Sequence, residues 1–219
     1  MIAQQLYGSG MTSQRTRDRL RYTLQQRGIT NQQVLEVIAS TPRHLFVDEA
    51  LSHRAYEETT LPIGYGQTIS RPYTVARMTE LLLEVRPRKV LEIGSGCGYQ
   101  TAILASLIAE VYTIERIGAL YTRARNRLTQ LGFTNIRLRH GDGYEGWPQQ
   151  QPFDAIIVAA APPQLPQTLL QQLAEGGVMV LPLGSSQQQL HTLYRQGGEF
   201  HDSVVEAASF VPMLTGAMR

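Results

Sequence analysis

The stretch "LEIGSGCGYQ" at 91–100 carries Gly94, Gly96 and Gly98 directly after an apolar burst and directly before an apolar helical pattern. Glycines at a strand-to-helix turn tolerate positive φ and let a ligand approach the main chain. The first N–H groups of the following helix then point at that ligand. The spacing departs from the dinucleotide fingerprint, because Tyr99 stands where its third glycine would be. Glu92 lies two residues before the first glycine, and Glu115 closes the next apolar burst, 17 positions after Gly98. A carboxylate in the register of Glu115 can accept hydrogen bonds from both hydroxyls of a ribose; otherwise it is a surface acid at a strand end. Asp142, between Gly141 and Gly143, ends a third burst. It reads either as an acceptor for the exocyclic amine of adenine or as an Asp-Gly turn.

A second stretch, "GYGQTISRP" at 64–72, combines hydroxyls, an amide and glycines ahead of another apolar helical pattern. Such a loop suits the holding of a small charged group. Ser70, followed by Arg71-Pro72, equally fits a helix N-cap. A nucleophilic serine would need an adjacent base, and no triad motif accompanies it. His44, His53, His140, His191 and His201 show no metal-ligand spacing. Trp147 reads as a roof over a ring or as packing under a loop.

The elements that must position these residues follow from the apolar pattern. Residues 12–28 and 31–41 read as helices, the first capped by Thr12 or Ser13 and ended by Gly28, the second stopped by Pro42. Arginines at 15, 17, 19 and 21 read as a solvated helix face. Strands are expected at 89–93, 111–115, 153–161 and 178–184, with a further strand and a loop within 135–143, and helices at 99–109, 118–132 and 164–177 between them. Strands alternating with helices of this length imply right-handed βαβ units and a parallel sheet. Residues 190–213 read as an antiparallel pair at the sheet edge, joined at Gly197-Gly198. The fold class expected is a mostly parallel, doubly wound α/β sheet, with ligand binding at the carboxyl ends of the strands.

Composition limits the alternatives. A chain of 219 residues, 42% of them hydrophobic, can bury the core of one domain, with residues 1–60 as a helical extension packed on it. A net charge of +2 does not argue for nucleic acid. The single cysteine, Cys97, excludes an internal disulfide and fits a reducing compartment. No apolar run approaches the roughly 18 residues of a membrane helix, and the first 18 residues lack the basic-then-apolar order of a signal peptide. A cytoplasmic location is expected.

With these residues in place, "VLEIGSGCGYQTAIL", "VYTIE" and "HGDG" resemble the S-adenosylmethionine site of Rossmann-like methyltransferases. Together with "LPIGYGQTISRP", "VARMTELL", "GDGYEGW", "PFDAIIVAAAPP", "LAEGGVMVLPLG" and "FVPMLTG", in order from about residue 12 to the end, they resemble the protein-L-isoaspartate O-methyltransferases. The resemblance implies methyl transfer from S-adenosyl-L-methionine to the α-carboxylate of L-isoaspartyl residues in proteins and peptides, with S-adenosyl-L-homocysteine as product. It implies a cofactor site of Thr68, Ser70, Gly94, Ser95, Gly96, Gly98, Glu115, Arg116, Asp142 and Gly143, and no metal. It implies Ser70 as the catalytic residue, and Gln67, Thr68, Ile69, Ser70, Val211 and Leu214 as substrate contacts. Backbone at Val211 and Leu214 would pair with an extended peptide, unless 210–216 is an ordinary edge strand guarded by Pro212. Three residues depart from the family pattern: Cys97 replaces a common serine, Arg71 a common glutamine and Ala160 a common threonine. Rival readings are an RNA or small-metabolite methyltransferase, which calls for a basic face or a closed apolar pocket, and a cofactor-binding adaptor, which the intact "GQTIS" disfavours.

Overall fold

The protein is described from a computed structural model, and residues 8–219 are the ones described. The signal-peptide reading therefore falls partly on residues 1–7, outside the described residues. Strands β3 (Lys89–Ile93), β4 (Glu110–Glu115), β5 (Ile136–His140), β6 (Phe153–Val158), β7 (Leu173–Leu183), β8 (Gln188–Gln196) and β9 (Glu199–Ala208) form one sheet in the order β5-β4-β3-β6-β7-β8-β9. The first five run parallel, and β8 and β9 are antiparallel to their neighbours, as the absence of a helix between them demands.

The near-continuous apolar runs have a direct cause, since both faces of the sheet are covered. Leu91, Ile93, Tyr112, Ile114, Ile156 and Val158 belong to one apolar cluster; the alternate residues Val90, Val111, Ala155 and Ile157 belong to another. Helices α4 (Tyr99–Ala105) and α5 (Gly118–Gln130) carry the chain β3→β4→β5 outward; it then returns to lay β6 beside β3. Strand order reverses between β3 and β6, and a crevice opens at their carboxyl ends, where Ile93 pairs with Val158.

Helices α1 (Gln14–Gln26) and α2 (Gln32–Ser40) bury Leu20, Leu24, Val34, Leu35 and Ile38 in a cluster that also contains Phe46, Ile63, Ile69 and Tyr99. That cluster ties the amino-terminal segment to the elements around the crevice. The arginine row is not a uniformly solvated face: Arg15 and Arg19 are exposed, but Arg17 is buried and its Nη1 donates to Ser40 O at 3.2 Å. Steps of two residues sweep about 200° around a helix, so one member of such a row meets the inner side.

The helix expected at 164–177 is a correction. Only α6 (Gln167–Leu170) is helical, and β7 begins at Leu173. Phe153 pairs with Leu173 and Ala155 with Val178, so residues 174–177 bulge out of the ladder. Gln172 anchors the turn, accepting from Trp147 N at 2.7 Å and donating to Glu145 O at 2.9 Å. Helix α4 likewise stops at Ala105, short of the expected 109.

Candidate active site

The carboxyl end of β3 leads into Gly94, Gly96 and Gly98, all at positive φ (91°, 53° and 90°), and Gly98 forms the N-cap of α4. A side chain at Gly98 would press against Leu128 and Ala124 of α5. Gly98 therefore shapes the turn without lining the cleft, whereas Gly94, Ser95 and Gly96 line it. Glu115 also lines it and is 6% exposed. Its Oε2 accepts from Gly96 N at 2.8 Å and its Oε1 from Ile117 N at 2.9 Å. The two bonds fix the carboxylate beside the glycine loop before any ligand arrives. Arg116 and Gly143 complete this wall; a Cβ on Gly143 would fall 2.5 Å from Ile93 Cγ2, so only glycine fits.

Beneath the loop lie polar groups without partners. Glu92 is fully buried; Thr101 Oγ1 donates to its Oε2 at 2.5 Å, while Oε1 has no partner. Burial pushes the Glu92 carboxyl up to about 7, against the opposing pull of its threonine contacts. Ser95 Oγ is buried and unbonded as well. Each such orphan costs roughly 1–3 kcal/mol, which a polar ligand can offset. Carboxylates and hydroxyls beside a glycine turn, walled by Ile93, Ile114, Ile117 and Met213, fit the ammonium, ribose hydroxyls and adenine of S-adenosyl-L-methionine.

Asp142 is placed differently. Its Oδ1 accepts from Tyr144 N at 2.8 Å and its Oδ2 from Gly216 N at 2.6 Å. It caps a short turn and ties down the carboxyl-terminal segment, at the edge of the cleft-lining set. Trp147 packs edge-on against Tyr112 at 5.5 Å, within the sheet-side cluster.

The facing wall is a hairpin. Strands β1 (Leu61–Gly64) and β2 (Gln67–Ile69) pair antiparallel across Tyr65-Gly66, whose φ values of 58° and 69° suit a tight two-residue turn. Leu61, Ile63 and Ile69 face the core, and Thr68 faces out. Gln67, Thr68, Ile69 and Ser70 all line the cleft. Ser70 is not the cap of the next helix, α3 (Pro72–Leu82): Arg71 is the N-cap, because Pro72 occupies the first helical position. The Ser70 hydroxyl has no partner among the described residues and remains available to a substrate.

Arg43 escaped the sequence reading. It is fully buried, donating from Nε to Ala55 O at 2.7 Å and from Nη2 to Ser70 O at 2.8 Å. Its guanidinium also sits 4.8 Å from the centroid of the Tyr99 ring, at the start of α4. Burial pulls its pKa below the usual arginine value. One planar fork thus holds the hairpin exit against the cofactor loop. The available signal was an arginine, beside His44, among the apolar residues of "PRHLFV".

A third segment closes the cleft with Val211 and Leu214. Val211 O already accepts from Ala161 N, and Met213 N donates to Ala161 O, both at 2.8 Å. The amide of Val211 and the groups of Leu214, which is 51% exposed, remain for an incoming chain. No histidine or lysine lines the cleft; His44 bonds Tyr56, His140 meets backbone carbonyls and His191 pairs with Asp202. Among the described residues no cluster suits a metal ion. The carboxylate that does line it, Glu115, is engaged by two backbone donors, so the site is built to position and desolvate.

Comparison with known proteins agrees with this geometry. The family described as Protein-L-isoaspartate(D-aspartate) O-methyltransferase (PCMT) matches residues 15–218. Protein-L-isoaspartate O-methyltransferase 1 of Marinobacter nauticus is 56% identical over 98% of this chain and 99% of its own length. The protein-L-isoaspartate O-methyltransferase of Halorhodospira halophila is 58% identical over 95% of this chain and 96% of its own. A crystal structure of a putative protein-L-isoaspartate O-methyltransferase from Plasmodium falciparum, in complex with S-adenosyl-L-homocysteine, superposes with a TM-score of 0.80. It is 25% identical and covers 90% of this chain and 97% of that one. The chain belongs to the protein-L-isoaspartate(D-aspartate) O-methyltransferase family.

Proposed function

We propose that this protein transfers a methyl group from S-adenosyl-L-methionine to the α-carboxylate of L-isoaspartyl residues in damaged proteins and peptides. The observation that carries the reading is one cleft, lined by no histidine or lysine, joining the glycine loop to the Ser70 hairpin, in a chain of this family. Bound there, the cofactor supplies an electrophilic methyl group on a sulfonium. A carboxylate with a pKa near 4 is already ionised at neutral pH, so no base is needed to activate it. What remains is placement to within about 3–3.5 Å and removal of water. Ser70 Oγ donates to one carboxylate oxygen and aims the other, while Arg43 fixes the Ser70 backbone. Gln67, Thr68 and Ile69, with Val211 and Leu214 opposite, hold the peptide.

Gly94, Ser95, Gly96, Glu115, Arg116 and Gly143 hold the cofactor, with Thr68 and Ser70 on its acceptor side and Gly98 and Asp142 shaping the turns behind. The methyl ester then undergoes attack by the neighbouring backbone amide nitrogen. Methanol leaves, a succinimide closes, and its hydrolysis returns part of the material to normal aspartate. We further propose that residues 1–219 act as one monomeric methyltransferase domain, with 1–60 as its helical extension. We propose cytoplasmic action without nucleic acid. No helix among the described residues is long and apolar enough to cross a membrane. Labelled cofactor, with matched peptides containing aspartyl or isoaspartyl at one position, tests the reading. Label is expected in the isoaspartyl peptide alone; equal labelling of both, or of neither, overturns it.

A further inference from the structure

A second, smaller cleft opens beside Ser70, next to the main one. Its polar lining is five hydroxyl side chains, Thr60, Thr68, Ser70, Thr74 and Ser209, together with Arg71. No carboxylate lines it. It joins the main cleft at Thr68 and Ser70, so a chain whose damaged residue sits on Ser70 must pass through or beside it.

The charge of Arg71 is uncompensated. Its backbone carbonyl accepts from Val75 N at 3.1 Å, but its exposed side chain makes no hydrogen bond, ion pair or ring contact among the described residues. The carboxylates around the start of α3 are engaged elsewhere. Glu58 accepts from Tyr73 N and pairs with Arg27 at 3.1 Å, and Glu206 accepts from Tyr73 Oη at 3.0 Å. The root of the Arg71 side chain is also fixed, since Pro72 occupies the first helical position after it and Arg43 holds the carbonyl before it. A cation with a set origin, in a cleft of hydroxyl donors without an acid, is built for an anion.

Resting on the activity proposed above, we infer that Arg71 forms an anion subsite that favours isoaspartyl segments bearing an acidic side chain within two residues of the damaged one. Two extended residues span about 7 Å, comparable to the reach of an arginine side chain from its own Cα. The enzyme thereby grades its substrates by neighbouring charge, while the reacting carboxylate is held by Ser70.

The test uses isoaspartyl peptides with blocked termini, carrying glutamate or glutamine at each of the two preceding and two following positions. For each pair the readout is the ratio of kcat/KM, glutamate over glutamine, so any general loss of activity in a variant cancels. The unaltered enzyme is expected to favour glutamate at one or more positions by about two- to five-fold, as suits an exposed ion pair. The preference should lie in KM and fade with added salt. In Arg71→Gln the ratio should fall to about one, and in Arg71→Glu below one. A ratio near one at all four positions in the unaltered enzyme, or the same ratio in all three proteins, overturns the subsite. So does an equal loss on both peptides of every pair, which would place Arg71 on the reacting carboxylate itself. Failure of the underlying activity looks different: isoaspartyl peptides would then be labelled no better than aspartyl ones, and both proposals would fall.

Discussion

The two walls of the cleft are built to opposite specifications. On the glycine-loop side Ser95 and Glu115 are 4% and 6% exposed, with Glu92 fully buried beneath them, and Glu115 is pinned by two backbone donors. On the facing side Thr68 and, from the third segment, Leu214 are exposed, and the Ser70 hydroxyl has no partner among the described residues. A wall that always meets the same ligand can be enclosed and pre-bonded, because the groups it must satisfy never change. A wall that meets peptides of any sequence has to stay open and offer backbone and hydroxyl groups instead. The difference predicts that substitutions on one side act on cofactor affinity and those on the other act on turnover or peptide choice.

The largest effect expected is at Ser70. Ser70→Ala should lower kcat by about 10²-fold, the order of loss that follows from misplacing a reacting group by about an ångström, and leave cofactor affinity nearly unchanged. Titration of cofactor binding beside single-turnover rates checks this; a large drop in affinity would move Ser70 to the other wall.

Glu92 comes next and breaks the comparison from the enclosed side. Glu92→Gln should weaken cofactor binding by about 2 kcal/mol, as befits a buried charged acceptor, with kcat at saturation little altered. The raised carboxyl also fixes a pH dependence. Folded Glu92 holds its proton up to about pH 7, whereas the unfolded chain releases it near 4.5. Between these values the folded state binds more protons, so stability without ligand falls as pH rises. The fall amounts to about 3 kcal/mol and levels off above pH 7. Urea unfolding between pH 4.5 and 8 should show that slope in the unaltered protein and lose it in Glu92→Gln. A flat profile in both would mean that Glu92 is ionised throughout.

Arg43 joins the walls, and Arg43→Lys keeps the charge but loses the fork. A loss in kcat of about tenfold is expected, from one charge-assisted hydrogen bond. Combined with Ser70→Ala, the lysine variant should cost little more than Ser70→Ala alone, because both act on one hydroxyl. Additive losses would make Arg43 a packing residue. Smaller again is Asp142→Ala, expected to cost about 1 kcal/mol of stability through its lost cap and less than that in cofactor affinity. A greater loss in affinity than in stability, by calorimetry and denaturation, would put Asp142 on the adenine.

Much of this was legible in the sequence, for a local reason. Strand β3 appears at the expected residues 89–93, because an interior parallel strand advertises itself as an unbroken apolar run ended by glycine. The edge pair turns at Gly197-Gly198 as expected, because no helix could fit between its strands. The helix over 164–177 failed beyond Leu170 because Leu173 and Ala174 are drawn into β7, and helical periodicity cannot separate the two over so short a run. The Ser70 cap reading failed by a single position, through Pro72. Long-range contacts left no local trace. Arg43 meets a carbonyl 27 residues away, and Asp142 meets an amide 74 residues away. In neither case does the partner's side chain take part, so residue types alone could not reveal the pairing.

The central claim is that sulfonium and carboxylate meet between Ser70 and the glycine loop, with placement supplying the rate. A crystal structure with S-adenosyl-L-homocysteine and an isoaspartyl peptide bound together tests it most directly. The account predicts the peptide α-carboxylate on Ser70 Oγ, with one oxygen aimed at the sulfur and only a methyl group's width between them. A sulfur turned away from Ser70, or a carboxylate bound elsewhere, would contradict it.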